Sequence, residues 1–343
     1  MQPTTTLDPS RPRRSVPWLR RVAGAAVRMA VRLAVAVLLA VAIVHWSGAR
    51  DWPLELLHHF VPQYACAAAG LALAALLLRQ RWTAAAVAAL AIGFAAEYWM
   101  APAPAADSAS ATGESRSLTL ITNNVFVTNW NNDGLLAWLA SRPADVVVLQ
   151  EVNTEIAERL RRGEDGYPHR VVAEEDYIGP FGDRGLEAIA VLSRWPILEH
   201  RAPGPWAKLW QATLVRIDMP GVQPWLLVIH PPSPAFRYWL PTRDRIYAEL
   251  APVVATLDGP VIVAGDFNAT PYTPVFRQFV AATGLASFTR FPATYSDKLG
   301  PIGIPIDHVL VRGAALTDLR ALEPVGTDHR PLRAEILLPT DGR

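Results

Sequence analysis

Apolar residues run almost unbroken through three stretches in the first hundred positions, at 33–46, 61–78 and 82–100. A helix needs about 20 mostly apolar residues to cross a bilayer. The second and third stretches have that length. The first reaches it if the helix starts at 29 and Arg32 stretches its guanidinium toward the surface. The pattern predicts three spanning helices at about 29–46, 61–78 and 82–100. Trp46, Trp52, Trp82 and Trp99 stand at the ends of these runs, where an aromatic belt meets the interface. Two other readings exist: helices buried in a soluble core, or a signal peptide for the first run. Three Ala/Leu/Val-rich runs in so short a span argue against a core. More than thirty residues precede the first run, whereas a signal peptide has only a short basic region there. An uncleaved anchor is therefore expected.

After position 100 the pattern changes. Residues 101–117 read APAPAADSASATGESRS, small, polar and aperiodic, as in a flexible linker. From 118 onward short apolar runs of strand length alternate with amphipathic helical stretches. Strands are predicted at 118–122, 145–150, 186–193, 212–218, 225–230, 260–265, 306–311 and 332–338. Helices are predicted at 135–140, with Asp133 as its cap, and at 243–256 and 273–283. Met219-Pro220-Gly221 between two runs marks a hairpin. Hairpins mixed with helices favour antiparallel or mixed sheets over a doubly wound parallel one. The chain thus divides into a basic N-terminus at 1–28, a helical region at 29–100, a linker at 101–117 and a globular domain at 118–340.

Charge sharpens this division. The whole chain has a net charge of +1, but residues 1–104 carry +6 and the remainder −5. Seven arginines from Arg11 to Arg32 precede or enter the first run, and Arg79 and Arg81 separate the second from the third. Between the first two runs Arg50 faces Asp51 and Glu55. The positive-inside rule puts the N-terminus and the short loop near 80 in the cytoplasm. The globular domain is then extracytoplasmic, on a multi-pass protein of the inner membrane. With 51% hydrophobic residues a disordered chain is excluded, and the single cysteine, Cys66, excludes a disulfide framework or a multi-cysteine zinc site.

Polar residues follow the apolar runs with unusual regularity. Asn124 follows LTLIT, Glu151 follows DVVVLQ, His230 follows WLLVI, and Asp266 and Asn268 follow PVIVAG. Asp307 and His308 sit within IPIDHVLV, and Asp328 and His329 precede RPL. Any one of these could be a turn former or helix cap. As a set, they suggest a site at the rim of a sheet.

LQEV at 149–152, GDFNATP at 265–271, IDHVLV at 306–311 and TDHRPL at 327–332, in this order, resemble the endonuclease/exonuclease/phosphatase superfamily across 118–340. The resemblance implies an α/β fold, a four-layered sandwich of two mixed β-sheets with helices outside, here preceded by the all-α membrane region. It also implies a metal-dependent phosphoester hydrolase, whether phosphodiesterase, nuclease or phosphatase. Residue by residue, it makes Glu151 a metal ligand with Asn124 and Asp328 beside it. His230 becomes a phosphate contact, Asp266 and Asn268 the GDxN pair, and Asp307 and His329 an Asp-His dyad. Thr327 stands where the family usually has Ser, and His308 where it often has an apolar residue. Neighbours on a strand face opposite ways, so His308 is expected to pack rather than react.

These residue types suit phosphoester hydrolysis. Mg2+, or Mn2+ in its place, takes oxygen ligands and uses one or two protein carboxylates plus substrate phosphate. Asp266 is a candidate for orienting or deprotonating water, or for protonating the leaving oxygen. The domain has only two lysines, Lys208 and Lys298, and no long basic run, so dedicated duplex DNA binding is not expected. Lipid head groups, extracellular nucleic acid and small phosphoesters stay open as substrates. Trp206, Trp210, Phe236, Tyr238 and Trp239 could rim an apolar subsite or simply pack. The competing class is a non-catalytic, membrane-tethered binding module on the same fold.

Overall fold

The computed structural model describes residues 17–100, 114–129, 131–141, 144–178, 184–204, 212–288 and 290–340. Most of the linker, Trp206, Lys208, Trp210 and the first arginines lie outside the described residues. Two compact units emerge, one of residues 1–43 and 62–95, the other of 44–61 and 96–343.

The first unit is built from helices α1 (Pro17–Ser47), α2 (Val61–Leu77) and α3 (Arg81–Met100), each long and apolar enough, with the residues leading into it, to cross a membrane. Helix α1 starts well before position 29. Its Arg32 donates to the Gln80 side chain at 2.8 Å, so this arginine has a protein partner. Ala42, Ala68, Ala75 and Ala84 are at most 3% exposed, as are Val87 and Phe94, while Leu77 and Ile92 are 76% and 70% exposed. Small residues at such contacts let helix backbones approach.

The second unit contains two mixed sheets. One holds, in spatial order, β10 (Ala315–Ala321), β11 (Leu332–Pro339), β1 (Ser115–Asn124), β2 (Val146–Val152), β4 (Arg184–Ser193) and β3 (His169–Ile178). The other holds β5 (Ile197–Arg201), β6 (Ala212–Ile217), β7 (Trp225–Ile229), β8 (Val261–Asp266) and β9 (Asp307–Arg312). Only β1–β2 and β7–β8 pair in parallel. Their sequences, VVVLQ and VIVAG, are continuously apolar because both faces of a parallel pair are covered. Leu118, Val148, Ile189, Val228, Ile262 and Val309 meet between the sheets. Helices α4 (Asn132–Ser141) and α5 (Thr154–Arg161) cover the outer face of the first sheet. Helices α6 (Leu240–Thr256) and α7 (Pro274–Thr283) lie by the second, where Tyr247 and Phe279 pack on Phe267.

Two local expectations differ from the structure. Asp133 lies inside the first turn of α4, and Asn131 caps it through Oδ1 to the Gly134 N–H at 3.2 Å. Residues 54–60, expected as a loop between spans, form a short 3-10 helix (Leu54–Phe60) belonging to the second unit. Strands β3, β5 and β10 and helix α5 had no prediction, because their apolar residues are too few or too irregularly spaced to show a period.

Candidate active site

The two sheets present their strand ends at a common rim, and each candidate residue sits at one of them. Asn124 ends β1, Asp266 ends β8 and Asp307 begins β9. His230 immediately follows β7. Glu151 lies in β2, where pairing with β4 slips between Leu149 and Val152. Such a bulge re-aims a side chain, and Glu151 adopts φ 55°, a left-handed conformation costing about 1–3 kcal/mol. Asn268 has φ 46°, which Asn tolerates better than most residues. Gly265 is required by packing: a Cβ there would lie 2.1 Å from the Ile229 carbonyl oxygen.

A compact hydrogen-bond web joins these groups. Asn124 Nδ2 donates to Glu151 Oε1 at 2.8 Å and to Asp266 Oδ2 at 3.1 Å. Asn124 Oδ1 accepts from the Phe126 N–H at 3.0 Å, so Asn124 meets Glu151 as a donor. Glu151 Oε2 accepts from the Val127 N–H at 3.2 Å. His230 Nε2 is 3.4 Å from Glu151 Oε1 and 3.8 Å from Asp266 Oδ2. His329 Nε2 approaches Asp266 Oδ2 from another side at 3.7 Å, while its Nδ1 bonds Asp307 Oδ2 at 2.8 Å. Asp266 Oδ1 accepts from the Asn268 N–H at 2.8 Å, and Asn268 Nδ2 donates to the Pro231 oxygen at 2.9 Å.

The Thr327 hydroxyl spans the web. It donates to the Asn124 oxygen and accepts from the His329 N–H, both at 2.9 Å. Thr294 Oγ1 accepts from the Ile306 and Asp307 N–H groups at 3.3 and 3.2 Å.

Burial and charge set the protonation states. Burial works to raise Glu151, but His230 beside it and the Asn124 amide outweigh this and hold the carboxyl at about 2. His230 would be lowered by burial, yet Glu151 and then Asp266 push it up to about 9. His329 rises to about 10 for the same reason, with Asp307 and Asp266 as the counter-charges. Asp266 goes the other way: burial, with Asp307 directly opposite on β9, raises it to about 6 despite the two imidazoles. Asp328 is raised by burial and by Glu151.

His308 departs from this group. Its ring packs among Phe267, Phe276 and Phe291 at centroid distances of 5.0, 4.7 and 5.5 Å. Its Nε2 bonds the Ala269 oxygen at 2.9 Å, and burial lowers it to about 4.

Glu151, His230, Asp266, Asn268, Asp328 and His329 line one cavity of about 450 Å3. Asn124 and Asp307 stand behind them. Three further residues line it that strand-end reasoning missed. Glu187, 2% exposed, is the one charge in the apolar run of β4, a legible anomaly. Tyr295 lies against His329, ring centroids 5.0 Å apart. His59 comes from the 3-10 helix 180 residues or more from most of the others. Of the expected aromatic rim, Trp239 reaches the cavity, while Phe236 and Tyr238 pack edge and tilt against it and each other.

The donor set fits a hard divalent cation. Glu151 and Asp266 bring carboxylate oxygens within 4.8 Å of one another. Asp328 Oδ1 is buried with no hydrogen-bond partner, a costly state that a cation would relieve.

The model of the endonuclease/exonuclease/phosphatase family matches residues 128–329. A UPF0294 protein of Vibrio vulnificus is 24% identical over 230 residues, covering 66% of this chain and 78% of that protein. One from Vibrio cholerae is 26% identical over 222 residues, covering 63% and 76%. Among solved structures, an endonuclease/exonuclease/phosphatase from Beutenbergia cavernae superposes with a TM-score of 0.53 at 18% identity, covering 65% of this chain and 72% of the other. The human Nocturnin catalytic domain gives 0.50 at 17% identity, covering 65% and 96%. At such identities the likeness speaks for the fold.

Proposed function

The chain belongs to the endonuclease/exonuclease/phosphatase family, and on that premise we propose that it is a membrane-anchored phosphoester hydrolase using Mg2+ or Mn2+ on the extracytoplasmic side of the inner membrane. One observation carries this reading: Asp266 Oδ2 lies 3.8 Å from His230 Nε2 and 3.7 Å from His329 Nε2, and all three line a single cavity with Glu151 and Asp328.

Hydrolysis needs a nucleophilic water, neutralisation of charge on the phosphoryl oxygens and a proton for the leaving oxygen. His329 and His230 carry positive charge toward the phosphoryl group, where fixed charges aimed at the transition state are most effective. Asp307 holds the His329 ring through Nδ1, leaving Nε2 toward the cavity. Asp266 orients the water and accepts its proton as oxygen bonds to phosphorus and the ester P–O bond breaks. A carboxyl near 6 is partly ionised close to neutrality, as a general base requires. The leaving oxygen takes its proton from an imidazolium or from water. Asn268, one amide hydrogen committed to Pro231, contacts a phosphoryl oxygen with the other. A divalent cation, when bound, supplies Lewis-acid stabilisation of the same charge. Glu151 and Asp328 would hold it, with Asn124 aiming Glu151.

The −5 charge of residues 105–343 argues against duplex DNA as substrate. Full-length protein should hydrolyse bis-p-nitrophenyl phosphate with Mg2+ or Mn2+ and lose activity in EDTA. Glu151→Gln should lower cation affinity, measured by calorimetry, together with turnover. Cation and phosphate binding without turnover of any ester would favour the non-catalytic module. For orientation, a reporter active only in the cytoplasm, fused after Arg343, should stay silent.

A further inference from the structure

The cavity lining is chemically mixed. Besides Glu151, Asp266, His230 and His329 it includes Leu56 and Phe60 from the 3-10 helix Leu54–Phe60, together with Phe126, Trp239 and Ile304. The wall residues Leu56 and Phe60 lie between the first two apolar helices in sequence, far from every residue of the web.

The 3-10 helix is fixed in place by a buried ion pair. Glu55 Oε1 and Arg243 Nη2 are 2.6 Å apart, and both side chains are 1% exposed. Arg243 Nη1 also donates to the Asn268 main-chain oxygen at 3.3 Å, so one guanidinium ties the wall to the GDFN loop. Arg50 bonds Asp244 at 2.8 Å and Gln278 at 2.9 Å, and Trp52 Nε1 donates to the Ala235 oxygen at 3.3 Å. A charge pair so buried costs several kcal/mol in desolvation. A segment serving only as a connector would not need it.

Two features point to a ligand. His59, 5% exposed, lines the cavity while its Nε2 stays 3.6 Å from Glu55 Oε2. Phe60 is 39% exposed although it flanks a cavity and adjoins Val61, where apolar helix α2 begins. Apolar side chains from Leu56 and Phe60 in the same lining as the charged groups match a phosphoester bearing a hydrocarbon group.

We propose that Leu54–Phe60 is the specificity wall of this site and receives the hydrocarbon portion of a bilayer phospholipid, with its phosphoester toward His230, His329 and Asp266. This rests on the phosphoesterase reading above and adds the substrate class. Leu56 and Phe60 contact the chain of the lipid, and His59 meets a polar head-group or ester oxygen. The segment leading out of the membrane is thereby part of the site that acts on the membrane's lipid.

The test uses full-length protein in maltoside detergent with p-nitrophenyl alkyl phosphates from methyl to pentyl. Burial of each methylene should raise kcat/KM roughly threefold to fourfold. Leu56→Ser with Phe60→Ser should flatten that rise, and Phe60→Leu should retain it. Phosphatidylglycerol vesicles should compete with the pentyl ester at least tenfold better than the deacylated head-group diester. A flat chain-length series with the methyl ester turned over overturns the wall and leaves the phosphoesterase standing. A steep series with equal competition by vesicle and deacylated diester overturns the bilayer as source. No turnover of any ester with Mg2+ or Mn2+ removes the underlying reading and this one with it.

Discussion

The helical unit leaves exposed many large apolar residues of a kind the sandwich buries. Leu73 is 58%, Leu76 59% and Leu77 76% exposed, although Val87 and Phe94 are buried alongside Ala42, Ala68 and Ala75. In the sandwich, Leu118, Val148, Ile262 and Val309 are wholly buried, and with them Asp266, Asp307 and His329 at 5% exposure or less. Exposure of those leucines suits helices long and apolar enough to cross a membrane, because against lipid a leucine gains little by turning inward. Against water, apolar burial drives folding, and a buried charge persists only when paired. The charges buried in the sandwich are concentrated at one rim. There the desolvation that makes them expensive also sets them apart in protonation, with Asp266 raised and the two imidazoles kept charged.

The contrast can be broken first in the core. Ile262→Ala, between the sheets, should destabilise the sandwich by about 2–5 kcal/mol in denaturant unfolding. A value near zero would mean that the sheets do not pack as described.

At the rim, His329→Ala should lower kcat by about 10²–10³-fold in protein shown to be folded by circular dichroism. Asp307→Asn should lose much of the same factor, and the double variant should fall far short of the product of the two. Independent, multiplicative losses would sink the pairing seen at 2.8 Å.

His308 sharpens the contrast through pH. The unfolded chain takes up this proton near 6.5, and the folded protein resists until about 4. Between these values the unfolded state binds more protons, so stability falls as pH drops through that window and is unaffected above it. The loss approaches about 3 kcal/mol at the lower end. His308→Gln, which can still donate to the Ala269 oxygen, should unfold with a correspondingly shallower pH slope between 6.5 and 4. Equal slopes would place the His308 ring outside its phenylalanine cluster.

The smallest effect is expected in the helical unit. Leu77→Ala, at a position 76% exposed, should shift stability by no more than about 0.5 kcal/mol in reconstituted protein. A core-sized loss there would show that Leu77 packs against protein.

Much of this organisation was legible in the sequence because its signals are local. Twenty apolar residues in a row report a span wherever they end up. VVVLQ and VIVAG report buried strands, and a polar residue directly after such a run must stand at a sheet edge. That is why Asn124, Glu151, His230 and Asp266 could be picked out as a set, and the structure places them at a shared rim. The GDFN and TDHRPL motifs carried the family. His308 could be set apart from Asp307 by strand alternation alone, and its ring does lie among phenylalanines.

What only the tertiary structure decided are the relations between distant segments. Nothing around Glu55 announces Arg243, 188 positions away. A seven-residue 3-10 helix is too short to show a period, so its place in the wall of the cavity had no local signature. Tyr295 and Thr294 lie in an irregular segment whose contribution comes from where β9 and the Thr327 loop bring it. Protonation was equally beyond the sequence. Asp266 and Glu151 are carboxylates at strand ends alike, yet one is raised and the other lowered: at Asp266 burial and the opposing Asp307 outweigh the imidazoles, at Glu151 His230 and the Asn124 amide outweigh burial. Local pattern is set by which side a residue must face, and that is written along the chain. Pairing, desolvation and the shape of a cavity depend on which segments the fold brings together, and those exist only once it has formed.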